Sequence, residues 1–386
     1  MKTNTFLFHD EEFSNWNLGA THPTQGRRYT NALRMFDSMS RYPRLNCEKP
    51  PVKPANRADL LRVHSPEYVA EVLDQFCVFG EFDPRPDQAH IAALFAGASV
   101  LGLHSLLGGE ALTAINFAGA KHHAQFDHAS GFCVFNDFAI CADIATKDHG
   151  LKVAIFDFDA HHGDGTENLT RDNSQVLTYS VHEGGIFPGT GKVSYPEDHV
   201  FNRSLRAGDG DTELLEATAE FIELAEEFRA DIIFIAAGAD GHESDPLSYL
   251  QYTEGIYQEV AALLRDAFPS TPMLIGGAGG YQPDSFTPQI WANFTVAIAG
   301  LAERKLPKNW RWRSQPCVIC GAKASMREYL FGMPVGPVND DKYVIGGCCL
   351  DGNEPEIKCR ECGWEGAKVD LYQALPLSRH TTANTK

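Results

Sequence analysis

Five segments of the chain that read as strands each end in polar side chains able to serve one chemical site. Their residue types are histidine, aspartate, serine and tyrosine, with glycine beside them. In an open parallel α/β sheet, ligands bind outside the carboxyl ends of the strands. We therefore expect one hydrolytic site built from these five strand ends, which are Lys121–Ala124, Asp157–His161, Ser180–His182, Gly238–Asp240 and Gly279–Tyr281.

The segment Asp157–His161 (DFDAH) closes an apolar run and has the composition of a metal site. Alternate residues of an extended chain point to the same side, so Asp157, Asp159 and His161 can project together. A catalytic metal site takes about three protein ligands and keeps one position open. Asp240, after another apolar run, is the natural further ligand. The alternative is that these groups cap the next helix or pair with one another.

The adjacent His122 and His123 follow a third apolar run. Neighbouring imidazoles can be metal ligands, or they can act as acid and base when carboxylates orient them. Asp157 and Asp164 are the candidate orienting partners. Taken alone, a histidine pair is just as often part of a solvated loop, and the neighbouring motifs favour the catalytic interpretation.

Tyr281 follows the glycine-rich segment Gly276–Gly280. Glycine permits tight, unusual backbone turns, so the phenol can reach into a site beyond them. A tyrosine hydroxyl there can donate to a developing oxyanion. The rival interpretation, a phosphate-binding loop, lacks the Lys-Ser/Thr ending that such a loop requires.

The apolar runs predict short strands alternating with helices, which is typical of parallel βαβ units covered on both faces. Helices are predicted over Thr212–Arg229, capped near Asp211–Glu213, and over Tyr252–Phe268. The longest apolar stretch, Ala89–Leu107, contains His, Ser and Gly, which favours a buried helix over a membrane span. The predicted strands are Thr5–His9, Leu112–Phe117, Lys152–Phe158, Gln175–Val181, Asp231–Ala237 and Met273–Ile275.

Charge is spread unevenly over the 386 residues, whose formal net charge is −18. Residues 1–301 hold 20 Lys and Arg against 41 Asp and Glu, a net charge of −21, whereas residues 302–386 hold 13 against 10, or +3. An acidic body disfavours tight nonspecific binding of nucleic acid. It suits a cationic substrate such as a lysine tail or a polyamine, although an acidic surface also serves solubility alone.

The distribution of the cysteines along the chain predicts that the protein resides in a reducing compartment. Four are scattered at positions 47, 77, 133 and 141, and six crowd into 317–362. This pattern indicates free thiols and a local metal site rather than a secreted disulfide framework. The chain starts without a charged segment followed by an apolar signal sequence, so we expect a cytoplasmic protein with no membrane contact.

Two CxxC pairs near the carboxyl terminus predict a small zinc ribbon over 317–370. The gap between the inner cysteines is 38 residues, longer than in usual fingers. Cys348 and Cys349 complicate the assignment because either could replace a ligand; disulfides, or no metal, are the alternatives. The ribbon could bind a protein, a nucleic acid or the catalytic rim, or serve only as a stabilising cap. Its predicted ligands are Cys317, Cys320, Cys359 and Cys362.

Across residues 1–301 the chain resembles the zinc-dependent histone deacetylase family, including its bacterial acetylpolyamine amidohydrolase and acetoin-utilisation relatives. Several motifs carry this resemblance in order and spacing, which makes it more specific than any single motif. They are His122–Ala124 through Ser130–Cys133, Asp157–Thr166 (DFDAHHGDGT), Phe187–Gly191, Gly238–His242 with Asp245–Leu247, and Gly279–Tyr281.

The resemblance implies an α/β arginase–deacetylase fold, with a central parallel sheet flanked by helices. It implies that Asp159, His161 and Asp240 hold one divalent metal; zinc is favoured, and Fe(II) is possible. His123, paired with Asp164, would be the general base and then the acid for the leaving amine. His122, paired with Asp157, would be mainly electrostatic, and Tyr281 would polarise the amide carbonyl.

The resemblance also implies a substrate tunnel and a structural potassium ion. Phe132 and Phe187 would be the tunnel walls, Leu247 would lie near the rim, and Gly131 would accept the substrate N–H. Potassium would bind near Asp157 and Ser180. Departures from the family pattern affect the rim, namely the segment His22–Thr24, the entry loop Glu81–Asp87 and Lys121, where relatives vary. His162 and Cys133 are expected to be packing residues.

The sequence thus predicts a metal-dependent amidohydrolase acting on an N-acyl lysine or a small N-acyl amine. The predicted regions are a catalytic domain over 1–301, a linker over 302–316, the ribbon over 317–370 and a flexible tail over 371–386. A binuclear ureohydrolase would need further bridging carboxylates, and a noncatalytic acyl-lysine reader would have lost Tyr281, His123 or a ligand. The oligomeric state is not predicted.

Overall fold

A computed structural model gives the architecture of the chain, which forms two compact units, Met1–Leu301 and Ala302–Lys386. The residues that the structure describes are 5–19, 22–39, 47–75, 86–299, 312–317, 320–331, 338–346, 355–366 and 368. In the first unit the described strands are β1 (Thr5–Leu7), β2 (Cys47–Glu48), β3 (Thr113–Asn116), β4 (Val153–Asp157), β5 (Val176–Glu183), β6 (Val200–Leu205), β7 (Ile232–Ala236) and β8 (Met273–Gly276).

These eight strands make one sheet in the order β2-β1-β3-β8-β7-β4-β5-β6, and every pairing is parallel. The parallel α/β prediction is therefore confirmed, and each predicted strand is present to within a few residues at its ends. β2 and β6 were not predicted. Both lie at the edges of the sheet, and β6 (VFNRSL) is too polar in its middle to read as a buried strand.

Helices cover both faces of the sheet. Phe156 on β4 stacks on Phe221 at 4.6 Å between ring centroids, and Phe234 on β7 packs on Phe138 at 5.4 Å. In the strand register Phe156 is paired with Ile235, so Phe156 and Phe234 point to opposite faces. The described helices are α1 (Arg27–Met39), α2 (Arg57–Leu60), α3 (Pro66–Asp74), α4 (Pro86–Leu107), α5 (Asp137–Asp143), α6 (Asp164–Thr170), α7 (Asp211–Phe228), α8 (Glu254–Ala267) and α9 (Phe286–Ile298).

The apolar helix α4 is long enough to cross a membrane, and its composition would permit it. Most of its side chains are buried inside the unit, and Gly102 lets it approach the side chains of Leu274 on β8 and Ala114 on β3. This is the buried core helix that the sequence predicts.

The amino-terminal cap of α7 differs from the predicted Asp211–Glu213. The N–H of Gly210 donates to Glu213 Oε2 at 2.9 Å, and the Asp211 carboxylate instead accepts from Thr253 at the start of α8. The helix consequently begins at Asp211, because an acidic side chain one turn into the helix satisfies the free backbone group before it.

The second unit contains a four-stranded sheet built from β9 (Met326–Leu330), β10 (Tyr343–Ile345), β11 (Ile357–Cys359) and β12 (Glu365–Gly366), in the order β10-β9-β11-β12. Its small core holds Cys317, Met326, Ile357 and Cys359, and Trp312 and Trp364 pack against it. Trp312 falls in the segment 302–316 that was predicted to be a linker, so the described part of that segment contributes to this unit. The predicted tail, 371–386, lies outside the described residues.

Candidate active site

The polar clusters converge at the carboxyl ends of five neighbouring strands, β3, β8, β7, β4 and β5. The functional side chains after β3, β4, β7 and β8 lie within seven residues of the strand end, and those on β5 belong to the strand's last part. The short strands β3, β7 and β8 end several residues before their clusters. The backbone turns in between direct the side chains toward the common site. The groups so assembled are His122 and His123 after β3, Asp159 and His161 after β4, Ser180 on β5, Asp240 after β7 and Tyr281 after β8.

Asp159, His161 and Asp240 form one buried group whose ligand atoms all lie within 4.8 Å of one another. His161 Nδ1 is 2.9 Å from Asp240 Oδ2 and 3.1 Å from Asp159 Oδ1. The three residues are at most 6 % exposed. Two carboxylates and an imidazole at this spacing fit a divalent cation with room for a further ligand. Among the described residues of this unit this is the one such group, and a second, bridging set is not present there.

Three glycines allow the carboxylates of Asp157, Asp159 and Asp240 to approach the backbone. The N–H of Gly279 donates to Asp159 Oδ2 at 2.6 Å, and a Cβ on Gly279 would collide with the carboxylates of both Asp159 and Asp240. A Cβ on Gly238 would collide with Asp159, and one on Gly163 would collide with Asp157. The sequence did carry this signal, since each glycine directly adjoins a predicted ligand motif.

Charge in the ligand group favours a bound cation. Burial, and next the charge of Asp159, raise the pKa of Asp240 to about 6. Burial alone would raise the pKa of Asp159 too, but His122 and His161 lower it well below its usual range. Burial opposes a charged imidazole, yet hydrogen bonds to both aspartates raise the pKa of His161 to about 11. The carboxylate pair therefore attracts positive charge, which a proton on His161 or a divalent metal can supply.

His122 lies beside the ligand group and is held as a cation. Its Nδ1 donates to Asp157 Oδ2 at 2.7 Å, and its Nε2 is 3.8 Å from Asp159 Oδ1. Burial lowers its pKa, but the charges of Asp157 and then Asp159 outweigh that effect and raise the pKa to about 9.

His123 has the opposite electrostatic character, although its ring centroid is only 4.0 Å from that of His122. Its Nδ1 donates to Asp164 Oδ1 at 2.7 Å. Burial and then the positive charge of His122 lower the pKa of His123 to about 4, although Asp164 raises it. The hydrogen bond at Nδ1 leaves Nε2 of a neutral ring available to accept a proton.

Tyr281 faces His161, with 6.4 Å between ring centroids. Burial, followed by the charge of Asp240, raises the pKa of its hydroxyl above the ordinary value, so the group stays a neutral donor. Its backbone N–H donates to Asp245 Oδ2 at 2.8 Å, and the other oxygen of Asp245 accepts from Leu247 N–H at 3.0 Å. Asp245 was not assigned a role from the sequence, because the interaction joins two loops through the backbone and leaves no residue pattern.

The predicted tunnel residues surround this group. Phe187, 46 % exposed, meets His123 edge-on at 5.0 Å between centroids, and Phe132 lies 6.0 Å from the Tyr281 ring. A Cβ on Gly131 would collide with the His123 ring, so glycine is required for this approach. Leu247 is half-buried and is linked to Tyr281 through Asp245. Their roles toward a substrate stay predictions.

Asp157 and Ser180, the predicted potassium ligands, are direct partners on adjacent strands and line a common small cavity. Asp157 also accepts from His122 and from the N–H of Asp159, and Ser180 Oγ lies 3.0 Å from His182 Nδ1. Potassium binding itself stays a prediction.

His162 and Cys133, which lie next to the candidate site, make the contacts of packing residues. His162 contacts Thr190 Oγ1 at 2.8 Å and Glu167 Oε2 at 3.0 Å, and it is not one of the grouped ligands. The Cys133 thiol contacts the Gly131 carbonyl at 3.3 Å, and burial raises its pKa to about 12, which makes it an inert thiol. Of the loop Glu81–Asp87, residues 81–85 lie outside the described part of the chain, as does Cys77.

The second unit contains the other metal-ligand group, the four CxxC cysteines. Cys317 and Cys362 are 3.6 Å apart at sulfur, and Cys320 and Cys359 are 3.8 Å apart. A disulfide would require about 2.05 Å, whereas a tetrahedral zinc with Zn–S of about 2.3 Å puts the sulfurs about 3.8 Å apart. The Cys₄ geometry thus fits the zinc alternative and not the disulfide one.

Each CxxC pair closes on a glycine. Gly321 N–H donates to the Cys317 carbonyl at 2.9 Å, and Gly363 N–H donates to the Cys359 carbonyl at 3.0 Å, both with φ near +70°. Burial raises the pKa of Cys359, but the Ser325 hydroxyl and nearby backbone N–H groups lower it to about 6. Cys348 and Cys349 lie outside the described residues.

Comparison with known proteins assigns the first unit. A family model described as "Histone deacetylase domain" matches residues 22–298. The acetoin utilization protein AcuC of Bacillus subtilis (strain 168) is 30 % identical over 338 residues, covering 81 % of this chain and 84 % of that protein. AcuC of Staphylococcus aureus (strain MRSA252) is 31 % identical over 284 residues, covering 66 % and 73 %.

Solved structures agree. The HDA15 HD domain superposes with a TM-score of 0.67 at 25 % identity, over 78 % of this chain and 90 % of that one. An HDAC homolog from Aquifex aeolicus matches in fold with a TM-score of 0.68 at 24 % identity, over 78 % and 86 %. The resemblance drawn from the sequence motifs is confirmed, and the chain belongs to the histone deacetylase family, whose members are zinc-dependent hydrolases of acetylated amines.

Proposed function

We propose that this deacetylase hydrolyses the N-acetyl amide of a lysine side chain, using His123 as general base and Tyr281 as the oxyanion donor. The observation that carries the proposal is the contrast between two touching histidines. His122 Nδ1 lies 2.7 Å from Asp157, whose charge raises the pKa of His122 although burial lowers it; His123 Nδ1 lies 2.7 Å from Asp164, while burial and then the charge of His122 lower the pKa of His123. Amide hydrolysis needs one group to take a proton from water and then return it to the amine, and this contrast supports His123 in that role.

Asp159, His161 and Asp240 would hold the zinc ion, which supplies a Lewis acid and lowers the pKa of bound water to about 7. Neutral His123 accepts a proton from the attacking water through Nε2, because Nδ1 is engaged by Asp164. The water oxygen bonds to the acyl carbon, the C–N bond breaks, and the imidazolium of His123 returns its proton to the amine. The products are a carboxylate and a free amine.

Tyr281 donates a hydrogen bond from its hydroxyl to the carbonyl oxygen as negative charge develops there, and it keeps its proton. Its raised pKa supports this role, since only the neutral phenol can donate. His122 stays protonated and stabilises the same charge at longer range. The aromatic rings of Phe132 and Phe187 flank the group and suit the aliphatic stem of a lysine. Leu247 at the rim, the carbonyl of Gly131 as an acceptor for the substrate N–H, and potassium at Asp157 and Ser180 belong to the same proposal.

The test is a panel of N-acetyl substrates given to the zinc-loaded full chain. Acetyl-lysine peptides and small acetylated amines such as acetylpolyamines are compared, because a small amine is the alternative substrate class. His123→Ala is expected to lower kcat by about 10²- to 10⁴-fold and Tyr281→Phe by about 10²- to 10³-fold, with metal content unchanged. Tyr249→Phe, at a tyrosine 70 % exposed in the described structure, is the matched control.

Turnover that survives both substitutions would overturn the mechanism. A preference for acetylpolyamine over every peptide would instead retain the mechanism and replace the substrate. We also propose a cytoplasmic location, supported by the free cysteines, and a protein partner for the ribbon, supported by its forming a compact unit of its own.

A further inference from the structure

One wall of the proposed substrate tunnel packs on a loop that has no part in the chemical step. The ring of Phe132 lies 4.5 Å from that of His22 between centroids, at an interplanar angle of 85°, and 6.0 Å from the Tyr281 ring. His22 belongs to the loop between Asn17 and Gln25, which the structure describes except at residues 20 and 21. The function proposed above gives this loop no role.

The backbone at Phe132 is strained, so the position of its ring depends on the contacts around it. Gly131 and Phe132 have φ of +52° and +63°, and the N–H of Cys133 donates to the Ser130 carbonyl at 2.8 Å, which closes the turn. Glycine adopts this left-handed conformation freely, whereas a bulky side chain rarely does. Such conformations persist only where the surrounding structure holds them. The contact with His22 therefore helps to decide where this wall of the tunnel stands.

The His22 ring is itself held by hydrogen bonds within the loop. The N–H of Thr24 donates to His22 Nδ1 at 3.2 Å, which fixes the plane of the ring, and the N–H of His22 donates to the Gly19 carbonyl at 3.1 Å. The loop is attached to the rest of the unit at its base, where the N–H of Asn17 donates to Gln88 Oε1 at 2.9 Å. Something must then connect this base to the part of the loop that carries His22.

The side chain of Gln25 makes that connection. Its Nε2 donates to the carbonyl of His22 at 2.6 Å and to that of Gly19 at 3.0 Å. Its Oε1 accepts from Arg27 at 3.2 Å, and Arg27 forms a bidentate ion pair with Asp284 at 2.9 Å and 2.8 Å. Exposed ion pairs contribute little to stability, so the two bonds to the carbonyls supply most of the restraint. They hold the backbone of His22 where its ring meets Phe132.

We propose that Gln25 is a positioning residue for the stem of the acyl-lysine, because it fixes Phe132 through His22 and so sets the width of the tunnel. This inference rests on the proposed amide hydrolysis and deepens it. An apolar wall contacts the substrate stem equally before and during the reaction, so it contributes to substrate binding and not to the rate of the chemical step. Loss of the Gln25 bonds should therefore raise KM and leave kcat nearly unchanged.

The experiment compares Gln25→Glu and Gln25→Lys in the zinc-loaded full chain, with one acetyl-lysine peptide as substrate. Gln25→Glu keeps the shape and an acceptor for Arg27 but removes both donor bonds, whereas Gln25→Lys keeps a donor for the carbonyls. In Gln25→Glu, KM is expected to rise about tenfold because two hydrogen bonds are lost, and kcat should change by no more than about twofold. In Gln25→Lys, KM should stay within about threefold of the wild-type value.

Gln175→Glu is the matched control, because Gln175 makes the same kind of contact far from the site. Its Nε2 donates to the carbonyls of Gly150 at 3.0 Å and Leu151 at 3.4 Å. It precedes the first residue of β5 and so lies at the opposite edge of the sheet from the catalytic groups. Both glutamate variants should unfold at a lower temperature than the wild type, but only Gln25→Glu should raise KM.

His22→Ala tests the same path from its other end, and it decides alone if Gln25→Glu does not fold. Removal of the ring that packs on Phe132 should also raise KM about tenfold, since an aromatic contact and its buried area are lost. In the His22→Ala background, Gln25→Glu should raise KM by less than about twofold further, because Gln25 acts through His22.

An unchanged KM in Gln25→Glu or in His22→Ala overturns the proposal. So does a fall in kcat at constant KM, an equal rise of KM in Gln175→Glu, or a rise in Gln25→Lys as large as that in Gln25→Glu. Failure of the proposed function looks different, because then no acyl peptide is hydrolysed in a Tyr281-dependent way. In that case calorimetric binding of the acetyl-lysine peptide decides: its dissociation constant should rise about tenfold in Gln25→Glu, and equal binding by Gln25→Glu and Gln175→Glu overturns the inference.

Discussion

The two candidate metal-ligand groups of this chain differ in the type and number of their ligands. In the first unit three buried residues of mixed type, Asp159, His161 and Asp240, stand beside a histidine pair and a tyrosine. In the second unit four cysteines alternate between buried and exposed positions. Three protein ligands leave a position for chemistry, whereas four sulfurs complete a tetrahedron and leave none. In the function proposed above, the first group keeps a reactive position open, and the second group is expected to hold strands together.

The folding of the two units should therefore depend on bound metal to different extents. The catalytic ligands are fixed by strands of an eight-stranded sheet and by a dense network of hydrogen bonds, such as Gly279 N–H to Asp159 and Ala160 N–H to Asp240. The ribbon has a core of four buried residues, two of which are cysteines. We therefore expect the first unit to fold without its metal and the second to depend on it.

The largest expected effect comes from breaking the open site. Asp240→Ala removes one ligand and leaves His161 with a single aspartate partner. Hydrolysis should fall by roughly 10³-fold or more, since the Lewis acid supplies several kcal/mol, and bound zinc should drop from two equivalents to one. Metal analysis beside a kinetic assay measures both. Asp74→Ala, on the exposed end of α3, is the control. Two retained equivalents of zinc would refute this ligand assignment.

The complementary change breaks the closed site. Cys359→Ala should also remove one equivalent of zinc, but here the ribbon unfolds, because structural zinc contributes about 10–16 kcal/mol to such folds. Fluorescence of Trp312 and Trp364, which pack on the ribbon core, reports the loss. Hydrolysis of a small acetyl amine should change by no more than about twofold. Cys47→Ala, outside both groups, should change neither quantity. An inactive Cys359→Ala enzyme would mean that the ribbon serves catalysis.

A site residue could be predicted from the sequence where it belongs to a short contiguous motif, and not where it reaches the site through a contact between distant segments. The DFDAH motif and each CxxC pair are local in sequence, so periodicity and spacing predicted the candidate ligands, and the apolar runs located the inner strands. Arg28 reaches the site from helix α1, far away in sequence, and Asp245 from the loop after Asp240, through contacts to the backbone of Gly280 and Tyr281. Backbone contacts impose no residue pattern at the partner. The edge strand β6 escaped prediction for a related reason, since an edge tolerates polar residues.

A change of pH should affect the two sites differently, and the expected change in activity is of intermediate size. The pKa of His123 is lowered to about 4, so the base is competent above that value and is lost as pH falls through it; His122, with its pKa raised to about 9, stays a cation up to that value. We expect a plateau of kcat/KM between these limbs, with about a tenfold loss per pH unit beyond each.

The ribbon should lose zinc and stability only as the pH falls. The lowered pKa of Cys359 means that thiolate binding stabilises the unit above the usual thiol pKa, and this stability is lost as pH falls through about 6. Zinc release and tryptophan fluorescence, followed alongside kcat/KM, measure the two responses. Loss of ribbon zinc and of activity at a common pH would remove the distinction between the sites.

The smallest expected effect tests how the open site is positioned. Asp245 fixes the backbone of Tyr281 and of Leu247 through its two oxygens, at 2.8 Å and 3.0 Å. Asp245→Asn retains the shape and replaces one acceptor by a donor, so one hydrogen bond is lost. A net value of about 0.5–1.5 kcal/mol for such a bond predicts an about 2- to 13-fold fall in kcat with KM nearly unchanged.

Because Asp245 would act through Tyr281, the two substitutions should not be additive. In a Tyr281→Phe background, Asp245→Asn is expected to cause little further loss of kcat, whereas Glu243→Gln, at an exposed neighbour, should be neutral in both backgrounds. Steady-state kinetics of the four combinations supply the coupling energy. A full additive loss in the double variant would show that Asp245 supports the loop fold generally. The phenol of Tyr281 would then be held by the glycine-rich turn alone, and the open site would need no positioning carboxylate.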